Sequence, residues 1–118
     1  MIDFICYPKC TTCQKALKWL ETNGIEVSVR NIKSENPSLE ELTDWYGKSG
    51  LDIKKFFNTS GLLYKSMDLK NKLPAMTVDE KLILLASDGM LVKRPLLVSD
   101  SFVLTGFKES EWAEKLGV

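Results

Sequence analysis

Histidine is absent from this chain, cysteine appears only three times, and no apolar run approaches the ~20 residues needed to span a bilayer. Each shortage excludes something. Four-coordinate zinc would need a fourth ligand beyond Cys6, Cys10 and Cys13, and there is no second C-x-x-C, so no metal is expected. An odd cysteine count does not suggest a secreted disulfide scaffold. No basic segment followed by an apolar core opens the chain, so no secretory signal is visible. The expected location is cytoplasmic, with thiols that can be oxidised and reduced again. Net charge is missing too. Sixteen Lys and Arg side chains balance sixteen Asp and Glu, which argues against direct nucleic-acid or membrane partners. There is no internal repeat and no low-complexity segment.

What remains is globular in composition: 118 residues, 44% hydrophobic and 27% charged, enough for one domain with an ordinary core. The stretch around which it is organised is Tyr7-Pro8-Lys9-Cys10-Thr11-Thr12-Cys13-Gln14-Lys15. It lies between the apolar run Ile2 to Cys6 and a helical pattern, and a C-x-x-C at such a junction reads as a thiol redox site. Cys13, Ala16, Leu17 and Leu20 fall on one helical face. Thr11 with Gln14 matches a capping box, which predicts a helix starting at Thr11 or Thr12. Cys10 then sits at the positive end of that helix, where unpaired N–H groups favour an anion, and Lys9 and Lys15 add positive charge. Cys10 is the expected low-pKa nucleophile and Cys13 the expected resolving thiol. Cys6 reads as a packed core thiol.

Along the chain, Ile2 to Cys6 predicts a buried strand. The first helix should run to about Thr22, stopped by Asn23-Gly24. Ile25, Val27 and Val29 alternate with polar neighbours and predict a second strand, giving a βαβ unit with parallel strands. Ser38 with Glu41 is a capping box, followed by a stripe of Leu39, Leu42 and Tyr46 that should end near Gly47 or Gly50. A short helix is expected over Asp52 to Phe57, a loop at Asn58-Thr59-Ser60-Gly61, and one more short helix over Leu62 to Leu69. Thr77 with Glu80 opens a helix with Val78, Leu82, Leu85 and Ala86 on one face, ended by Gly89. Leu96 to Val98 and Phe102 to Leu104 read as a hairpin, and Glu109 to Leu116 as a closing helix with Trp112, Ala113 and Leu116 inward. Trp19, Trp45 and Trp112 are read as packing residues.

The summed order is βαβ, a helical stretch, then ββα: an α/β chain that, without its middle, has the order of a thioredoxin-like fold. Residues 1–32 and 93–118 would form that core, with 33–92 a helical insertion between the second and third strands of the single 1–118 domain. Lys93-Arg94-Pro95 precedes the hairpin, where such folds carry a cis-proline loop. An Arg94 guanidinium beside a thiolate would stabilise the anion and could hold an oxyanion.

Cys10-Thr11-Thr12-Cys13, Asn58-Thr59-Ser60-Gly61 and Leu91-Val92-Lys93-Arg94-Pro95 together resemble the ArsC/Spx family over nearly the whole chain. The resemblance implies a thioredoxin-like fold with a helical insertion. It also implies Cys10, Cys13 and Arg94 as catalytic residues, with Lys9, Thr11, Thr12, Lys15, Asn58 and Pro95 as candidates for holding an oxyanion or substrate. Two branches compete. Arsenate reductases of this family use one cysteine with glutathione and glutaredoxin, and hold arsenate with three arginines. Arg94 matches one of these, but the other two fall on or near Asn58 and Gly106, so arsenate reduction should be slow or absent. Spx-type regulators carry the C-x-x-C, use it as a redox switch and bind the α subunit of RNA polymerase. The implied function is a thiol–disulfide oxidoreductase acting on a small-molecule or protein disulfide, with no bound cofactor and glutathione/glutaredoxin or thioredoxin as reductant. The alternatives are an Spx-like regulator, or a thioredoxin-like scaffold with vestigial chemistry.

Overall fold

Strand β1 (Ile2–Cys6) is the centre of the molecule, a computed structural model that describes residues 2–118. It pairs in parallel with β2 (Val27–Asn31) and antiparallel with β3 (Leu96–Val98), which pairs antiparallel with β4 (Val103–Thr105). The sheet order is β2-β1-β3-β4. A strand flanked on both edges is apolar where it is covered on both faces, which explains the unbroken Phe4-Ile5-Cys6 burial, while Asp3 near its start is exposed.

Alternation along β1 divides the core into two layers. Phe4 and Cys6 join Cys13, Ala16, Leu20, Leu97 and Trp112 on one face. That face is covered by helices α1 (Thr11–Thr22) and α6 (Glu109–Leu116). Ile5 points the other way, to a larger cluster with Ile32, Leu42, Trp45, Phe56 and Leu85. This second layer is supplied by α2 (Leu39–Ser49), α3 (Leu62–Ser66), α4 (Leu69–Lys72) and α5 (Val78–Ser87), all between β2 and β3. Among the described residues no helix is long and apolar enough to cross a membrane.

Local hydrogen bonding explains where the helices begin. Ser38 and Glu41 form a reciprocal capping box at α2, and Thr77 and Glu80 do the same at α5. Glu41 has a second task. Its carboxylate accepts from Arg30 Nη1 at 2.6 Å and Nη2 at 2.9 Å, and Arg30 also donates to the Glu35 and Asn36 carbonyls. That fork ties the end of β2 to the start of α2.

Several expectations require correction. Thr11 and Gln14 do not form a capping box. Cys10 is the N-cap of α1, and the Gln14 side chain donates to the Pro8 carbonyl at 2.9 Å instead. The inward residues of α2 are Leu42 and Trp45, while Leu39 is 44% exposed. The helix expected over Leu62 to Leu69 stops at Ser66; Asp68, with φ 53°, breaks the ladder, and a second short helix starts at Leu69 and runs on to Lys72. Val78 is exposed, and Ala113 and Leu116 are only half-buried. Gly89 does not stop α5. Asp88 does, and Gly89 opens a 3₁₀ turn, Gly89–Leu91. Gly89 is packed so closely that a Cβ there would lie 1.8 Å from the Ile32 carbonyl oxygen.

Candidate active site

The site starts at the turn after β1. The Cys10 N–H donates to the Tyr7 carbonyl at 2.9 Å, which reverses the chain and sets Cys10 with extended backbone (φ −83°, ψ 121°) at the mouth of α1. No hydroxyl or carboxylate caps this helix, and its first turn contains no acidic residue. By contrast, α2, α5 and α6 each carry two acidic residues in the first turn. The positive end of α1 is therefore left for the Cys10 sulfur.

The two thiols are driven apart. Partial burial pushes the Cys10 thiol up. The Cys13 amide and thiol, the Thr12 amide and the Arg94 charge together outweigh it and leave Cys10 below the ordinary range. Cys13 is 2% exposed, and its burial pushes it up to about 12. The Tyr7 N–H donates to its sulfur at 3.4 Å and opposes that rise, while the adjacent Cys10 and Cys6 charges add to it. Cys6 is also raised, by burial first and Cys10 second. A half-exposed thiol whose ionisation is eased, over a buried thiol whose ionisation is hindered, is the pairing that nucleophilic attack and resolution require.

Arg94 arrives from the other end of the chain. Its guanidinium lies over the Tyr7 ring, 5.2 Å from the centroid, and Nη1 is 3.5 Å from the Met90 carbonyl oxygen. The Arg94–Pro95 peptide bond is cis. Cys10, Thr12, Asn58 and Arg94 line one cavity of about 530 Å³, with Leu62 and Met90 as apolar walls. Asn58 is 9% exposed, and no buried side-chain nitrogen or oxygen among the described residues lacks a hydrogen-bond partner. Lys9, Thr11 and Lys15 are exposed and do not line this cavity, and Pro95 is buried behind it. Sequence reasoning missed Leu62, Leu63, Met90 and the role of Lys93. The signal for Leu62 was weak, since it lies just after the Asn58 to Gly61 loop, and for Met90 there was none.

A sheet of order β2-β1-β3-β4 with a C-x-x-C at the first strand–helix junction, its first cysteine sharing a cavity with Arg94, defines a thioredoxin-like dithiol protein. More narrowly, residues 6–115 match the ArsC family model, and the chain belongs to the ArsC family. It is 55% identical to YusI of Bacillus subtilis, over 96% of each chain. The regulatory protein MgsR of the same bacterium is 32% identical, over 93% of this chain and 86% of its own. The crystal structure of an ArsC-family-related protein from Bacteroides fragilis matches with a TM-score of 0.95 at 56% identity, covering 98% of this chain and 96% of that one.

Proposed function

We propose that this protein is a thiol–disulfide oxidoreductase in which Cys10 is the nucleophile and Cys13 the resolving thiol. The observation that carries this is the opposed ionisation of two sulfurs one helical turn apart, Cys10 lowered and Cys13 raised to about 12.

The Cys10 thiolate attacks one sulfur of a substrate disulfide. A new S–S bond forms, and the other sulfur leaves as a thiolate that takes a proton from water. Arg94, close enough to help lower Cys10, offers its charge to the sulfur anion that develops there. Once Cys10 is in the mixed disulfide its negative charge is gone. One cause of the high Cys13 pKa goes with it, so Cys13 ionises more easily when it is needed. Cys13 gives up its proton, attacks Cys10 and releases the second substrate thiol. Two electrons have passed to the substrate, and the chain holds a Cys10–Cys13 disulfide. An external dithiol, of the glutaredoxin or thioredoxin class, or glutathione, returns it to the reduced state.

Arsenate is a poor fit to this site. Oxyanion binding by the family's arsenate reductases uses three guanidinium groups, and Asn58 and Gly106 supply none. Gly106 has φ 69°, and a Cβ there would be 3.1 Å from Lys93 Cε. An arginine at this position would be strained and would displace Lys93.

The test is mixed-disulfide trapping. Cys13→Ser should accumulate substrate on Cys10, and Cys10→Ser should trap nothing and turn over nothing. Turnover by the wild type with no adduct on Cys13→Ser would refute the resolving role. A second reading is favoured by the likeness to a regulatory protein at 32% identity. Here the same disulfide gates binding to RNA polymerase through its α subunit. Capture of the C-terminal domain of α in one redox state only would support it, and capture in neither state would reject it.

A further inference from the structure

The balanced net charge conceals a segregated one. Beside the thiol cavity runs an open trough of about 910 Å³, bounded by α2, the 3₁₀ turn Ile53–Phe56, the β4 end and α6. Seven basic side chains line it against three carboxylates, in a chain with sixteen of each sign. Lys48 is held by Asp44 and Lys108 by Glu111. Lys54, Lys55, Lys93 and Lys115 have no ion-pair partner among the described residues. Thr12, Lys93 and Arg94 line both the trough and the Cys10 cavity, so the two are continuous.

We infer that this trough receives an acidic segment of the protein that carries the substrate disulfide, with the substrate cysteine over Cys10 and its carboxylates against the unpaired lysines. This rests on the oxidoreductase reading and names its substrate class. Two features favour a polypeptide. Cys10 chemistry needs a sulfur partner, and a polypeptide brings sulfur and carboxylates on one chain. Asp52, Glu111 and Glu114 interrupt the basic lining, which suits spaced carboxylates and opposes a continuous phosphate backbone. Opposite charge along such a cleft raises the encounter rate and loses its effect in salt.

The test uses cysteine peptides activated as 2-thiopyridyl disulfides, in an acidic form flanked by Asp and Glu and a neutral form flanked by Asn and Gln. Cys10 attacks the peptide sulfur, the peptide–Cys10 disulfide forms, and thiopyridone is released and read by absorbance. The acidic peptide should react about 10-fold faster than the neutral one at low salt, and high salt should remove most of that advantage. The double variant Lys54→Glu/Lys55→Glu should lose the preference while keeping the neutral-peptide rate. An acidic peptide no faster than the neutral one, or a preference that survives charge reversal, overturns the trough assignment and leaves the oxidoreductase reading standing. Inhibition by an oligothymidylate as strong as by an unlabelled acidic peptide of equal charge overturns it in favour of nucleic acid. A neutral-peptide reaction that persists in Cys10→Ser refutes the oxidoreductase reading, and the trough assignment falls with it.

Discussion

Replacing Cys10 by serine should silence the native protein to alkylation, although two of its three thiols remain. The size of the effect follows from Cys13. At pH 7 a thiol that ionises near 12, instead of at the ordinary 9.0, carries about one-thousandth as much thiolate. A more basic thiolate is intrinsically more nucleophilic, and with a Brønsted slope of ~0.5 this returns a factor of about 30. Ionisation alone therefore slows Cys13 by about 30-fold against an ordinary thiol. Its 2% exposure slows it further. Cys6 is 5% exposed and raised in the same direction. The serine variant loses the part of that rise supplied by the Cys10 charge and hydrogen bond, while burial, the largest cause, stays. Cys10 itself is moved the opposite way, so the wild type should exceed Cys10→Ser by about 10-fold or more. The assay is iodoacetamide labelling followed by intact mass, repeated in denaturant, where Cys10→Ser must take two labels. The inflection of the wild-type pH–rate profile should lie below pH 9.0, because Cys10 ionises below that ordinary value. A native Cys10→Ser protein labelled at about a tenth of the wild-type rate or faster would refute the reasoning. So would a wild-type inflection at or above pH 9.0.

Arg94→Gln removes one of the influences that lower Cys10, so the inflection of the same pH–rate profile should move upward, and an unmoved inflection would contradict the assignment. Gly89→Ala forces a Cβ to within 1.8 Å of the Ile32 carbonyl oxygen; the cost should be about 3 kcal/mol or more, read from the urea midpoint. Gly47→Ala, in α2 with nothing within 4 Å of the new Cβ, should instead stabilise by ~0.5–1 kcal/mol. Glu41→Gln should cost about 1 kcal/mol near neutral pH, discounted for partial exposure of the Arg30 pair. Glu41 is held down to about 2 in the fold, by the Arg30 hydrogen bonds first, against an ordinary 4.5. Its stability contribution is present above the unfolded value and lost as pH falls toward 2, so wild type and Glu41→Gln should converge there.

Much of this was legible in the sequence because it is local. The capping boxes Ser38–Glu41 and Thr77–Glu80 join residues three positions apart, and both form. The apolar run of β1 and the period-3.6 stripe of α1 record burial that each element carries wherever it docks. The failures had two origins, a neighbouring turn and the packing of the whole chain. Thr11 and Gln14 have the spacing of a capping box, but the turn at Tyr7 to Cys10 puts a sulfur at the cap and sends Gln14 to Pro8. Leu39 fits the helical period of α2, yet Trp45 takes the buried place, because only packing decides which edge of a stripe faces the core.

The sequence by itself determined the dithiol at a strand–helix junction, the βαβ start and the ββα finish, since neighbouring residues write those patterns directly. Only the tertiary structure brought Arg94 to Tyr7 and Cys10, pressed Gly89 against Ile32, and gathered lysines from α2, the 3₁₀ turn, the loop before β3 and α6 into one trough. The physical reason is that charge and van der Waals contact depend on distance through space, and a sum of charges along a chain carries no record of where they meet.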